Sequence, residues 1–128
     1  DFQPYELPES PLVGVARMLN CTREIQKAYP DLALIGSGIS YLRQFSDRMA
    51  AGAIEEGDYK IAGFGRMAFA YPEFAKDILS GKGLDPKQCC ISCGKCSQLM
   101  RFGSKAGCVV RDKIYTALYQ EAAQKAGK

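Results

Sequence analysis

The sequence contains no histidine. That removes zinc sites of the Cys2His2 kind and any imidazole general base supplied by this chain. It also lacks an apolar run approaching the ~20 residues that cross a bilayer, so no membrane span is expected. Charge of one sign is not in excess: 17 Lys and Arg face 14 Asp and Glu, interspersed, for a net +3. An electrostatic nucleic-acid binder is therefore not expected. Gly36-Ser37-Gly38 is not continued into a dinucleotide fingerprint, and no Walker lysine follows it, which weakens Rossmann and P-loop readings. The length, 128 residues, allows one modest core. Asp1 in place of methionine leads us to expect a processed chain or a piece of a longer one.

Cysteine is what the chain has in concentration. Five of its six cysteines fall within residues 89–108. Cys90, Cys93 and Cys96 form a C-x2-C-x2-C run, and Cys108 follows after eleven residues. Two-residue spacers let successive thiolates curl into one small volume. A cubane iron–sulfur cluster takes four thiolates, and tetrahedral zinc could use the same four. The bacterial ferredoxin run ends in x3-Cys-Pro, and this one does not, which argues against a stand-alone two-cluster ferredoxin. A disulfide framework fits poorly, because Cys90 and Cys93 are too close for easy pairing. A redox-active C-x-x-C pair needs fewer thiols than are present. Metal binding is the preferred reading, with a [4Fe–4S] cluster ahead of zinc. Cys89 could replace Cys90 as first ligand. Cys21 is expected to be a buried small apolar residue. Clustered cysteines also suit a reducing, cytoplasmic compartment.

Along the chain, residues 1–10 with Pro4 and Pro8 read as an extended loop. Ser10-Pro11 reads as a cap and first helical position. Val15, Met18, Leu19, Ile25 and Tyr29 keep roughly helical spacing until Pro30, with a possible split at 20–22. Leu32–Ile35 suits a parallel strand buried on both faces, ending at Gly36-Ser37-Gly38. Ser40 can cap a helix with Leu42, Phe45, Met49 and Ala53 inward and Gly57 as its stop. Residues 59–64 form the second strand, ending at Gly65-Arg66. Pro72 opens a helix whose inner face is Phe74, Ala75, Ile78 and Leu79. Gly81 and Gly83 release the chain into the cysteine segment. Asp112 caps a last helix with Ile114, Tyr115, Leu118 and Tyr119 inward.

Alternating β and α elements mean right-handed βαβ units. Two strands cannot make a sheet covered on both faces, and a (β/α)8 barrel takes about 250 residues. The fold class is therefore α/β, read as the last two βα units of a TIM barrel over residues 1–83, followed by a cysteine-rich lobe and C-terminal helix over 84–128. The glycine turns at 36–38 and 63–66 both end strands, which is the ligand face of such folds. Glycine permits close approach and frees N–H groups for phosphate oxygens. Arg66 adds a fixed cation. Tight turning alone would also use these glycines, but two successive turns with an arginine favour phosphate.

Residues 61–74, Ile-Ala-Gly-Phe-Gly-Arg-Met-Ala-Phe-Ala-Tyr-Pro-Glu-Phe, resemble the last-strand signature of the NADH:flavin oxidoreductase (old yellow enzyme) family. Residues 34–39 are similar to that family's strand seven. The cysteine run resembles the branch containing 2,4-dienoyl-CoA reductase and trimethylamine dehydrogenase, which places a [4Fe–4S] cluster just after the barrel. The resemblance implies an FMN-dependent NAD(P)H oxidoreductase passing hydride through flavin to an activated alkene or similar acceptor. It implies FMN phosphate on Gly36, Ser37, Gly38, Gly65 and Arg66, and the cluster on Cys90, Cys93, Cys96 and Cys108. The family's substrate-activating residues lie on earlier strands, so no catalytic residue is expected here and the piece alone should be inactive. Its partners would be the N-terminal remainder of the barrel, NAD(P)H, a small acceptor, and a second copy if the enzyme oligomerises. The competing expectation is a small zinc or iron–sulfur module, or an electron carrier, without flavin.

Overall fold

The computed structural model describes residues 9–127; of the loop expected over 1–10, all but the last two residues lie outside them. Helix α1 spans Pro11–Ala28, with proline at its first position after Ser10. The Ser10 side chain makes no capping hydrogen bond. The helix is continuous through 20–22 because the Thr22 hydroxyl donates back to the Met18 carbonyl, 2.7 Å away, rather than capping a break. Its inward side is Val15, Leu19, Thr22, Arg23 and Gln26. Met18, Ile25 and Tyr29 are exposed instead. Cys21 is exposed too, correcting the expectation of a buried thiol: it lies off this inward side of α1. Gln26 is buried and ties the helix to the turn that follows, its amide donating to the carbonyls of Tyr29 and Leu32.

Strand β1 (Ile35–Gly36) pairs in parallel with β2 (Ile61–Ala62), matching Ile35 to Ile61 and Gly36 to Ala62. Both strands are shorter than expected. They are not buried on both faces, since Ile35 and Ile61 are 59% and 47% exposed. Between them the chain forms a 3-10 segment over Ile39–Phe45 and then helix α2 over Ser46–Glu55. A single helix from Ser40 was expected. Arg43 breaks it, at φ 52 and ψ −122. Ser46 and Ala50 face inward and Phe45 is exposed, whereas Ala53 is buried and Leu42 and Met49 half-buried, in keeping with the expected stripe. Gly57 does end α2, at φ 76, and the Asp58 N–H closes the turn on the Ala53 carbonyl. Buried Asp58 holds Arg23 of α1 through both carboxylate oxygens, at 2.5 and 2.8 Å.

Helix α3 (Gly65–Ala70) was not foreseen; the chain turns helical immediately at the second glycine turn. Pro72 sits in a reverse turn, and α4 begins only at Phe74, running to Leu79. Phe74 and Ile78 pack on a core of Met67, Tyr71, Leu84 and Cys89, but Ala75 and Leu79 are exposed because six residues present little more than one inner edge. The Tyr71 hydroxyl donates to Asp77, which also accepts from Lys82. Helix α5 (Lys95–Arg101), also unforeseen, lies inside the cysteine segment. Helix α6 spans Lys113–Lys125 and is capped by Asp112, whose carboxylate accepts from the Ile114 N–H. Tyr115, Leu118 and Tyr119 are half-buried, whereas Ile114 is 70% exposed. Among the described residues no helix is long and apolar enough to cross a membrane.

Candidate functional site

The two glycine turns meet at the strand ends. The Gly63 N–H donates to the Gly36 carbonyl at 2.7 Å. A Cβ on Gly63 would stand 2.9 Å from Ile35 Cγ2 and 3.3 Å from Ser37 Cβ, so this glycine lets the turns touch. Gly36 is glycine for another reason. The ring of Tyr59 covers it, and a Cβ there would lie 2.0 Å from a ring carbon. Gly38 holds φ 87, where glycine is favoured. Gly65 differs from all three: a Cβ there meets no protein atom within 4 Å, and it opens α3 toward free space. Ser37, Gly38, Gly65 and Arg66 are exposed, Gly36 buried. Four backbone positions thus remain open to a ligand, and the fifth is closed by an aromatic ring.

Cys90, Cys93, Cys96 and Cys108 line a single small pocket, about 20 Å³ in volume. The backbone that brings them together alternates its hand. Ser92 stands at φ 55 and Gly94 at φ 75, so each spacer of the C-x2-C-x2-C run folds back on itself. Gly94 then starts α5, which carries Cys96 in its first turn. Cys108 arrives on the loop joining α5 to α6, where the ring of Tyr115 covers Gly107 so closely that a Cβ there would stand 2.4 Å from it. The Ser92 N–H points at Cys90 Sγ, 3.3 Å away, an N–H···S contact of the kind that stabilises a coordinated thiolate.

The two adjacent cysteines both line the pocket and differ in burial. Cys89 is fully buried in the apolar core with Met67, Tyr71 and Leu84. Burial pushes its thiol pKa up, against the opposing pull of Arg43 and Arg111, so it is a neutral thiol at pH 7. Cys90 is half-buried, lining the pocket beside Cys89 and packing against the edge of the same core. Among the described residues no three His, Cys, Asp or Glu side chains converge tightly enough to hold one metal ion. Tetrahedral zinc with Zn–S near 2.3 Å needs sulfurs about 3.8 Å apart. A cubane presents one iron to each thiolate from its own corner, and its sulfurs stand farther apart. The donor set, four thiols on one pocket, is one that either group can use.

Arg66 lines the cysteine pocket together with Phe69 and Ala70 of α3. The second glycine turn and the cysteine lobe therefore share a wall. Arg111 is a residue that sequence reasoning missed. It also lines the pocket, and its guanidinium donates to the Cys89 carbonyl at 3.3 Å. Its position three residues after Cys108 was the only signal available. Tyr59 carries a buried hydroxyl without a partner, and burial, reinforced by Asp58, raises its pKa; it acts as an apolar cover over Gly36. No family model, no curated protein and no solved structure matches this chain.

Proposed function

We propose that this chain is the closing portion of an FMN-dependent NAD(P)H oxidoreductase of the ene-reductase type, a TIM-barrel enzyme with a [4Fe–4S] cluster beside its last strand. The observation that carries the reading is the shared wall: Arg66, which ends the second glycine turn, lines the pocket of Cys90, Cys93, Cys96 and Cys108. A phosphate-holding turn and a four-thiolate site in contact suit one redox centre with two cofactors better than two unrelated features. Bound FMN would supply hydride transfer from NAD(P)H to an activated alkene or similar small acceptor, and the cluster would supply one-electron relay.

The chain's own residues have bounded tasks. Backbone N–H groups of Ser37, Gly38, Gly65 and Arg66 would bind the phosphate, which needs several donors within ~3 Å of its oxygens, while Gly36, expected among them, lies closed under the Tyr59 ring. The empty space in front of Gly65 supports that fit. Arg66 would neutralise part of the phosphate charge. Cys90, Cys93, Cys96 and Cys108 would hold the cluster, and the Ser92 N–H would stabilise the first thiolate. Exposed Ile35 and Ile61 support further strands as the missing cover of this sheet. Those strands would bring the substrate-activating groups, and the compartment would be the cytoplasm.

The test is anaerobic purification of the intact protein, with FMN, iron and acid-labile sulfide measured per chain and NAD(P)H oxidation followed with an enone acceptor. Flavin together with iron and sulfide supports the proposal. Zinc without sulfide or flavin would make the chain a structural metal module. A reducible cluster that never retains flavin would make it an electron carrier.

A further inference from the structure

Two cations line the cysteine pocket, and only one of them belongs to a glycine turn. Arg111 lies beyond Cys108, on the arm that leads into α6, and its guanidinium donates to the carbonyl of Cys89, on the arm that leads into the C-x2-C-x2-C run. One side chain thus bridges the entry and exit of the cysteine segment, 22 positions apart. It lines the pocket while remaining exposed to solvent, at the pocket's rim. The rest of that wall is largely apolar, with Phe69, Ala70, Ile91, Val109 and Val110. The apolar side of the wall screens little and the solvent side screens more, so an exposed guanidinium at the rim acts on a charge at the centre with moderate strength. An arginine keeps its charge at every relevant pH.

We propose that Arg111 is a positioning residue for the four-thiolate site, clasping its two arms and placing there the charge that sets its affinity for an electron. The inference rests on the cluster reading above. With dithionite as donor, one-electron reduction of a [4Fe–4S]2+ site to the 1+ state adds one negative charge, and no bond is made or broken. A cation held on the wall favours that added charge. Removing it weakens electron binding, and a substitute that keeps the charge preserves most of it.

The experiment is a dithionite titration of the intact protein, reconstituted anaerobically with iron and sulfide and monitored by electron paramagnetic resonance, for wild type, Arg111→Gln and Arg111→Lys. Arg111→Gln is expected to bind the electron about tenfold more weakly, which for a one-electron couple is about 59 mV more negative. Arg111→Lys should stay within about threefold of wild type. Should Arg111→Gln fail to load while Arg111→Lys loads with a near-native potential, the charge is still what the site requires. Equal potentials in wild type and Arg111→Gln overturn the proposal, as does equal failure of both variants to load, which would leave Arg111 a structural tie alone. A wild-type protein that takes up no iron or sulfide would instead defeat the cluster reading itself.

Discussion

The strand-end turns and the cysteine lobe solve opposite problems. In the turns the groups proposed to work are backbone N–H groups, and their own positions carry little or no side chain. Gly36 is pressed by Tyr59, Gly63 by Ile35, and Gly65 faces open space. In the lobe the groups proposed to work are side chains, and the backbone bends to bring them to one pocket. Ser92 and Gly94 take positive φ so that four cysteines line one pocket. The first region is therefore damaged by adding atoms and the second by removing them. The difference teaches that equal-looking substitutions, one methyl gained or one sulfur lost, report on different physics in the two halves of one molecule.

The largest effect should come from the adjacent cysteines. Cys90→Ala is expected to abolish iron and sulfide retention, whereas Cys89→Ala should retain both and lose only about 1 kcal/mol of stability from the core it helps fill. Iron analysis paired with urea unfolding of both variants checks this. Loss of iron in Cys89→Ala with retention in Cys90→Ala would exchange their roles and erase the distinction between core and site.

Two glycines one turn apart give the next contrast. Gly36→Ala should cost about 1–3 kcal/mol by overpacking against Tyr59. Gly65→Val should leave the fold intact and deplete FMN, because its new atoms meet no protein atom within 4 Å at Cβ and intrude where phosphate would lie. Flavin absorbance and denaturant midpoints, measured on the same preparations, separate the two. Unchanged FMN affinity in folded Gly65→Val would remove the phosphate site. Arg66→Ala should weaken FMN binding by about 1.5–3 kcal/mol through loss of a charge-assisted hydrogen bond; because Arg66 also borders the cysteines, its cluster content should be recorded alongside.

The smallest effect concerns neither site. The Tyr71 hydroxyl, then Lys82, hold the Asp77 carboxyl below its ordinary pKa. A carboxyl lowered on folding contributes stability above its unfolded pKa, near 4, and that contribution fades as pH falls through the folded value. Thermal melts should therefore show a modest decline below about pH 4 that is flattened in Asp77→Asn. An identical decline in the variant would assign the acid sensitivity elsewhere.

Local punctuation was legible in the sequence. Pro11 and Asp112 start helices, Gly57 stops one, and the two short strands pair in parallel. These features depend on a few neighbouring residues. Burial was much less legible, because it depends on what packs where. The apolar stripe from Leu42 to Ala53 was read as one helix, and the backbone at Arg43 breaks it, with Phe45 exposed. Cys21 was read from the habits of its residue type and lies off the inward side of α1. In the site, cysteine spacing pointed to residues that do line one pocket. The difference in burial between Cys89 and Cys90 shows only in the folded chain, where Met67, Tyr71 and Leu84 gather around Cys89. Arg111 was illegible for the same reason: its partner carbonyl is remote in sequence.

The ring of Tyr59 over Gly36 ties two positions in the chain's history. While tyrosine stands at 59, no side chain fits at 36 without displacing it. A smaller residue at 59 opens a void that a methyl at 36 could partly fill. Neither step is favourable first, so drift at the two positions should occur together or not at all. Descendants of this sequence are expected to keep the pair Gly36–Tyr59 or to change both, and a double-mutant cycle should return a coupling favouring the joint change.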